Sequence, residues 1–432
     1  MGQKKRPTDR RPRTDISQVG TKLREQIHAF SGELSPRFTK PVQRFIEQMV
    51  YGIVVSKDVK LSQISRALEE TIAVKKTEDR LSINLGREHL AEELMEEVAR
   101  LGKRKVREET LLIIDVSEIS KSHARKMEYL EKVRDGSTGE IRDGYWTINV
   151  IASSAGGKGM VPLYQSLHSS AAPGFKGEND EILKAIRVVS QESRGKGIWV
   201  GDRGTDRKKL YNPLLANKKR FIIRLVGDRN MVFRGHLRTA EDIARGCPLA
   251  YADTIVREGK EGEKSHHLAY GYRKVRLPGR PEQLWMVVIR GFGREPLMLL
   301  TNIPLRKKRR LLWFIVEAYL TRWRIEEAIR FTKQSYNLED VRVLTYRRLR
   351  NLIALVLVAG YFSVAYLGER LKLAILANRV MKAAKRFYGI AAFRYYAIAD
   401  GIAYILRRLG KGPLCVRAVV EDTRQLTFAS LL

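Results

Sequence analysis

The stretch Thr110-Leu-Leu-Ile-Ile-Asp115 is short and apolar, contains β-branched residues, and ends in an acid. This pattern predicts a buried central strand that ends at Asp115. The same pattern returns in Gly197-Ile-Trp-Val-Gly-Asp202, which predicts another buried strand that ends at Asp202. If the two strands are neighbours in one sheet, the carboxylates of Asp115 and Asp202 meet at a single edge.

The segments around these strands alternate between strand patterns and helix patterns. Residues 143–152 and 159–167 flank the turn-forming cluster Gly156-Gly-Lys-Gly159, and together they predict a hairpin. The glycine cluster has neither the Gly-Lys-Ser/Thr ending of a P-loop nor the order of a dinucleotide fingerprint. Ile and Val at helical spacing predict a helix over 178–193, and residues 220–226 predict a further strand. This order of elements predicts an α/β fold with a mixed sheet.

Another polar cluster lies in Tyr319-Leu-Thr-Arg-Trp-Arg-Ile-Glu-Glu-Ala-Ile-Arg-Phe-Thr-Lys333, which has the pattern of one helix. Arg322, Glu326 and Lys333 follow Tyr319 by 3, 7 and 14 residues. On a helix these four residues share a face about 100° wide. A carboxylate there can ligate a metal, and the basic groups beside it can hold phosphates. The alternative is a solvated face with i,i+4 ion pairs, so the choice depends on acidic partners elsewhere in the chain.

The composition favours a globular protein with a polyanionic partner. The chain has 432 residues, of which 44% are apolar and 30% are charged. These values are typical of a folded protein, and the length allows two to four domains. Lys and Arg number 81 against 48 Asp and Glu, which is a net charge of +33. This excess favours nucleic acid or an anionic membrane surface as the partner.

Other features favour a cytoplasmic, nucleoid-associated location. Only two cysteines occur, Cys247 and Cys415, so there is no disulfide framework and no zinc-type spacing. The basic N-terminus lacks the apolar segment of a signal peptide. The longest apolar run, 352–367, is too short and too interrupted to span a bilayer comfortably, and it predicts a buried core helix. We therefore expect no membrane partner.

The N-terminal quarter predicts a basic arm followed by a helical DNA-binding domain. Residues 1–16 cluster Lys and Arg among prolines and polar residues, which is typical of a flexible arm that touches DNA phosphates. Residues 17–107 form the predicted domain, and their pattern is helical to about residue 101. Within this region two short helices, the second bearing Lys75, Lys76 and Arg80, resemble a helix-turn-helix. The second helix of that motif enters a major groove, so these three residues are predicted DNA contacts.

The remaining boundaries follow changes in the sequence pattern. His266 and His267 are adjacent on a predicted strand and point to opposite faces, so they predict a surface pair rather than a metal site. The predicted segments are a first part of the sheet core at 108–226, a β-rich and basic insertion at 227–302, a second part of the core with the Glu326 helix at 303–368, and a C-terminal helical region at 369–432.

At this point the chain resembles a DDE transposase of bacterial insertion sequences, in the insertion sequence four group that includes the transposon five enzyme. The Tyr-x2-Arg-x3-Glu-x6-Lys signature of that group is matched in full by Tyr319, Arg322, Glu326 and Lys333.

Both acids at the predicted strand ends also match the family. Asp202, in Gly-Asp-Arg-Gly204, matches the region of the second acid, and Asp115 matches that of the first. One departure is Ser117, which stands where many members carry Thr. The resemblance covers about residues 110–345.

The resemblance implies an RNase H-like core in which Asp115, Asp202 and Glu326 bind two Mg²⁺ ions, for which Mn²⁺ can substitute. Three converging acids repel each other, and two metal ions relieve that repulsion and activate the attacking and leaving oxygens of a phosphodiester. The implied reaction is cut-and-paste transposition. Water cuts the transposon end, the freed 3′-OH forms a hairpin that is reopened, and the 3′-OH then attacks target DNA.

The resemblance also implies roles for the basic residues and for the partners. Tyr319, Arg322 and Lys333 would hold phosphates near the cut. Trp285 is the candidate for stacking on a flipped base, and the alternative for this residue is a core strand aromatic. The partner is double-stranded DNA, both transposon ends and target, and the protein is expected to act as a homodimer in a paired-end complex.

Two other functions remain open on the sequence. One is an RNase H-like nuclease that does not transfer strands, and the other is a catalytically silent DNA-binding repressor derived from a transposase. The complete set of three acids argues against the repressor. Nearby Glu118 and Asp206 are expected to be solvated or to support the matched acids, and Glu327 is expected to be structural.

Overall fold

The structure is a computed structural model, and the chain in it divides into two compact units. One unit comprises Met1–Glu88, Gln334–Arg342 and Val358–Leu432, and the other comprises His89–Lys333 and Val343–Leu357. Most of the predicted basic arm lies outside the described residues. The residues that the structure describes are 15–121, 124–136, 138–157, 159–259, 262–305, 309–380 and 395–416.

The described residues form thirteen α-helices. The helices predicted from residue 17 to about 101 and over 178–193 are confirmed. The helices are α1 (Ile16–Leu34), α2 (Lys40–Ser56), α3 (Leu61–Ala67), α4 (Val74–Leu85), α5 (Leu90–Gly102), α6 (Glu178–Glu192), α7 (Lys208–Ala216), α8 (Ala240–Arg245), α9 (Arg309–Leu320), α10 (Arg324–Ser335), α11 (Tyr346–Tyr361), α12 (Glu369–Val380) and α13 (Tyr395–Leu409).

Twelve strands occur in the described residues, all in the second unit. The strands are β1 (Leu111–Ser120), β2 (Glu131–Arg134), β3 (Ile141–Ser153), β4 (Val161–His168), β5 (Ile198–Gly201), β6 (Arg220–Arg224), β7 (Asn230–Phe233), β8 (His236–Thr239), β9 (Tyr251–Gly259), β10 (Gly262–Val275), β11 (Leu284–Arg290) and β12 (Leu297–Thr301).

The first unit is built on amphipathic helices. α1 packs against α2 and α13, and α3 packs against α2 and α4. Leu23, Ile27 and Phe30 recur at helical spacing on α1 and are fully or almost fully buried. Their periodicity is what one apolar helix face needs to meet a helical core.

The core of the second unit is a mixed sheet. β3 lies antiparallel between β1 and β4, while β5 and β6 run parallel to β1 on its other side. The strand order is therefore β4-β3-β1-β5-β6, with α6 before β5 and α7 before β6. Three antiparallel strands followed by two parallel ones form the RNase H-like arrangement, so the predicted fold class is confirmed.

The β-rich insertion extends this sheet. β12 pairs with β6, and β11, β10 and β9 continue outward in that order. With β2, which pairs with β3, the sheet has ten strands. β7 and β8 form a separate hairpin. His267 contacts the hydroxyl of Thr254 at 2.9 Å, and the ring of His266 lies beside Phe292. The two histidines therefore have different partners, as adjacent strand residues should.

Asp115 does not end its strand, so that prediction was wrong. β3 is 13 residues long and pairs with β1 along the whole of β1, from Leu111↔Ser153 to Ser120↔Gly144. The parallel pairing of β1 with β5 does stop early, at Ile113↔Val200. Asp115 therefore lies beyond the parallel pairing but within the antiparallel one.

The stretch from Tyr319 to Lys333 is not the single helix that its pattern predicted. A 3₁₀ turn over Thr321–Trp323 separates α9 from α10. The hydroxyl of Thr321 donates to the carbonyl of Glu317 at 2.8 Å and accepts from the amide of Gly156 at 3.1 Å. A threonine hydroxyl bonded four residues back bends a helix, which explains the break.

Helix α5 lies in the second unit, although the sequence grouped it with the DNA-binding helices. Its buried residues Leu90, Leu94 and Val98 lie on the helix that packs against β4. The amide of Gln165 on β4 contacts the sulfur of Met95 on α5 at 3.2 Å. The apolar face of α5 therefore covers the core sheet.

Helix α11 and the π turn that follows it, Phe362–Tyr366, are long and apolar enough to cross a membrane by length and composition. In the structure 83% of the most apolar window is buried. Such burial is typical of a core helix, as predicted for residues 352–367.

Replacing Leu94 by alanine is expected to lower the free energy of unfolding by about 2–5 kcal/mol, because the side chain is fully buried and leaves a cavity. Leu237→Ala is the control, since Leu237 is 62% exposed and should shift stability by no more than about 0.5 kcal/mol. Urea unfolding measures both. Equal effects would contradict the packing of α5.

Candidate active site

Asp202 follows β5 directly and is held by its own turn. Its carboxylate accepts a hydrogen bond from the amide of Gly204 at 2.8 Å, and its carbonyl accepts one from the hydroxyl of Thr205 at 2.7 Å. Asp202 thereby caps a 3₁₀ turn over Arg203–Thr205. The prediction that Asp202 ends a buried strand is confirmed.

Asp115 is almost buried, with 16% of its side chain exposed. Burial and the negative charges of Asp202 and Glu326 raise the pKa of its carboxyl to about 7, while Arg322 opposes the shift. The three acids are therefore close enough to influence each other electrostatically. The structure brings together residues that the sequence separates by 87 and 124 positions.

Arg322 lies between two of these acids. Its Nη2 donates to Oε1 of Glu326 at 2.5 Å, and its Nη1 lies 4.0 Å from Oδ2 of Asp115. Its side chain is 17% exposed, whereas that of Glu326 is 52% exposed. Burial disfavours the charged guanidinium, but the nearby Asp115, Tyr319 and Glu326 hold its pKa above the usual value. Arg322 thus compensates the charge of two acids.

The donor set of this site suits a hard divalent cation. Carboxylate oxygens are the ligands that Mg²⁺ prefers, and the mutual repulsion seen at Asp115 is what a cation would relieve. Among the described residues, no group of three or more His, Cys, Asp or Glu side chains is in position to hold a metal ion. The chemistry therefore fits the metal, while ligation requires the side chains to close in.

A cavity of about 570 Å³ is lined by Glu326. Four arginines and two glutamates line it, so its wall is positively charged and suited to phosphate oxygens. Another cavity in the same unit, between α6 and α7, has no acidic lining residue. The residues around the first cavity are Arg203, Arg224, Phe292, Gly293, Arg294, Glu295, Leu297, Tyr319, Leu320, Arg322, Trp323 and Glu326.

The structure divides the predicted stripe between two places. Tyr319, Arg322 and Glu326 line the cavity. Burial raises the pKa of Tyr319, and the nearby Arg322 and Arg224 oppose the shift. The ammonium of Lys333 instead donates to Oε1 of Glu118 on β1 at 2.9 Å. Lys333 therefore contacts β1, the strand that carries Asp115.

Three cavity arginines were missed by the sequence analysis, namely Arg203, Arg224 and Arg294. The sequence did contain a signal for Arg224. Arg224 is the last residue of β6, Asp202 directly follows β5, and the two strands run parallel, with Gly201 paired to Ile223. Carboxyl ends of parallel strands meet at one edge. Arg294 lies in the loop between β11 and β12, and no local pattern could have placed it at the cavity.

Asp206 is buried and not solvated, and it supports the turn that carries Asp202. Its side chain is 0% exposed. Its carboxylate accepts hydrogen bonds from the amide of Val226 at 2.8 Å, Nε of Arg229 at 2.8 Å and the hydroxyl of Tyr211 at 3.1 Å. Burial raises its pKa in spite of these donors. This network ties the turn after β5 to the segment after β6.

The predicted DNA contacts on α4 differ in their surroundings. Nη2 of Arg80 donates to both carboxylate oxygens of Glu70, at 2.7 and 2.8 Å, and Lys75 lies 3.0 Å from Asp79. Lys76 is exposed. Arg80 therefore stabilises the turn between α3 and α4, and the DNA contact of all three residues stays a prediction.

Trp285 and Glu327 do not line the cavity. Trp285 is the second residue of β11, opposite Thr301 and Lys274. Its base stacking stays a prediction. Glu327 is half-buried on α10 next to Glu326, and burial raises its pKa. Its Oε2 is buried without a hydrogen-bond partner.

Asp115→Asn is expected to stabilise the metal-free protein at pH 8. The folded-state pKa of Asp115, about 7, lies above the ordinary pKa of 3.8, so folding favours the protonated acid and stability is lost as pH rises through this interval. The gain should therefore shrink at pH 5. Thermal unfolding at both pH values measures it, at about 2–4 °C for each kcal/mol. Glu140→Gln, an acid that is 63% exposed, is the control. A gain independent of pH would contradict the assigned shift.

Asp206→Ala is expected to lower the free energy of unfolding by about 3–5 kcal/mol, because Arg229 loses the carboxylate that it contacts in a buried site. Denaturant unfolding measures the loss. Glu241→Ala is the matched control, since Glu241 also pairs with an arginine, at 3.0 Å, but is 51% exposed. It should leave the midpoint unchanged, and equal losses would contradict the supporting role of Asp206.

Comparison with known proteins adds a family match to this geometry. Residues 176–360 match the family model described as Transposase DDE domain. The matched range contains Asp202 and Glu326 and begins after Asp115. No curated protein matches the chain.

A solved structure is also similar, the cryo-EM structure of a piggyBac transposase synaptic complex with hairpin DNA. Its TM-score is 0.43 at 11% identity, over 93% of this chain and 88% of that chain. At these values the likeness supports no conclusion about fold or function. The family match is independent of it and agrees with the resemblance to DDE transposases: residues 176–360 of this chain are similar to a transposase DDE domain.

Proposed function

We propose that this protein is a DNA transposase that binds the terminal inverted repeats of an insertion sequence, cuts the DNA there and transfers the strands into target DNA. One observation carries the proposal. Glu326 lines a cavity whose wall includes four arginines, and the charges of Glu326 and Asp202 both act on the buried Asp115. Clustered carboxylates suit metal-dependent phosphodiester chemistry, and the arginines suit the charged backbone of the substrate.

Asp115, Asp202 and Glu326 are the proposed holders of two Mg²⁺ ions, which Mn²⁺ can replace. When bound, such ions activate the attacking and leaving oxygens of a phosphodiester. Asp115 keeps a proton on its carboxyl up to about pH 7 while no cation compensates its charge. Metal binding must release this proton, so at limiting Mg²⁺ the cleavage rate should rise with pH.

The arginines of the cavity are the proposed phosphate holders. Arg322 contacts Glu326 and lies near Asp115, so it can offer a planar guanidinium to a phosphate beside the acids. Arg224 lies at the same edge of the sheet as Asp202. Phe292, Tyr319 and Trp323 add aromatic surface to the cavity, on which an unpaired base could stack.

The DNA partner follows from charge. A net charge of +33 favours the phosphate backbone of duplex DNA, and binding should weaken strongly with salt. We place end recognition on α3 and α4, with Lys76 exposed toward solvent. The hairpin step, the homodimeric paired-end complex and the cytoplasmic location belong to the same proposal and rest on the family resemblance.

The test is cleavage of a labelled DNA end with its inverted repeat in Mg²⁺. Asp115→Asn, Asp202→Asn and Glu326→Gln should each lower cleavage about 100-fold or more, because each removes a proposed metal ligand. Glu140→Gln, a change at an acid that is 63% exposed, should cleave like the wild type.

The products decide between the candidate functions. Strand-transfer products or hairpin ends support the transposase, and simple nicks support the nuclease. Salt-sensitive binding without cleavage supports the silent repressor. Normal cleavage by Glu326→Gln would refute the assigned site.

A further inference from the structure

Strand β1 carries two acids that contact the stripe of polar residues from Tyr319 to Lys333. Oδ2 of Asp115 lies 4.0 Å from Nη1 of Arg322, and Oε1 of Glu118 accepts a hydrogen bond from Nζ of Lys333 at 2.9 Å. The two contacts link β1 to Arg322, which precedes α10, and to Lys333, which lies near the end of α10.

The contact between Glu118 and Lys333 is shielded from solvent. Their side chains are 14% and 18% exposed, and the residues lie 215 positions apart in the sequence. Exposed ion pairs contribute little to a structure because water and salt screen them. A shielded, hydrogen-bonded pair between distant elements can instead fix how those elements meet.

Geometry makes this contact relevant to Glu326. α10 rises about 1.5 Å per residue, so Glu326 and Lys333 are roughly 10 Å apart along it. A slip of α10 by one residue would turn Glu326 by about 100°. An anchor at Lys333 therefore restrains the direction of the Glu326 carboxylate.

We propose that Glu118 is a positioning residue for the active site. By holding Lys333 on β1 it sets the register of α10, so that Glu326 faces Asp115. The same contact keeps the ammonium of Lys333 on a carboxylate until a phosphate of the substrate competes for it. This assignment rests on the proposed function.

The two effects of Glu118 have opposite signs, which makes the role testable. Loss of the carboxylate should misalign α10 and slow the chemical step. It should also leave more positive charge available to DNA, so affinity for DNA should stay equal or rise. A mere loss of folding would lower both.

The experiment compares Glu118→Gln, Glu118→Asp and the control Glu178→Gln in the full chain. Glu178 is a matched acid of the same unit, paired with Arg207 at 2.6 Å and 32% exposed. Three quantities are measured. They are the affinity for an inverted-repeat duplex, the single-turnover cleavage rate at saturating DNA and Mg²⁺, and hydrogen exchange of amides 324–335 without DNA.

Glu118→Gln should cleave about 10-fold more slowly, as when a residue that orients a ligand is lost, with DNA affinity unchanged or tighter and faster exchange in 324–335. Glu118→Asp should recover part of the rate, and Glu178→Gln should change none of the three. Wild-type rate and wild-type exchange in Glu118→Gln would overturn the proposal, as would a parallel loss of affinity and rate. If the wild type does not cleave, the proposed function fails, and the exchange of 324–335 still decides whether Glu118 positions α10.

Discussion

The burial of Asp115 beside the charges of Asp202 and Glu326 is the constraint on which the candidate active site depends. Burial, and after it the repulsion from these two acids, raises the pKa of Asp115. Arg322 offsets part of it through Glu326 and Asp115. A site of this kind destabilises the fold unless cations compensate it, so the arginines around it contribute to stability as well as to substrate binding.

The sheet supplies the positions at which these charges meet. β1 pairs with β5 only as far as Ile113, so the segment from Ile114 onward is held by β3 alone in the core sheet. Asp202 lies just past the end of β5. The buried Asp206 network holds the turn after Asp202 against the segment after β6. Strands β1 and β5 and the hydrogen-bonded turn after β5 thus hold Asp115 and Asp202 in place, whereas Glu326 is positioned by helix α10.

The insertion strands contribute to the site because they continue the same sheet. β12 pairs with β6, and the loop between β11 and β12 brings Phe292 and Arg294 to the cavity. This placement explains how residues far from the acids in sequence share their cavity. Trp285 is the second residue of β11, at the strand end away from this loop, and does not line the cavity.

The sequence by itself determined the elements and much of the site. Apolar runs and helical spacing predicted β5, β6 and α6, and the family pattern identified Asp202 and Glu326, because these signals are local. Only the tertiary structure decided which charges meet. Pairing with the long strand β3 places Asp115 inside β1. The hydroxyl of Thr321 breaks the helix before α10, and Glu70 forms an ion pair with Arg80. These contacts depend on how the strands and side chains pack together, so no periodic pattern in the sequence could predict them.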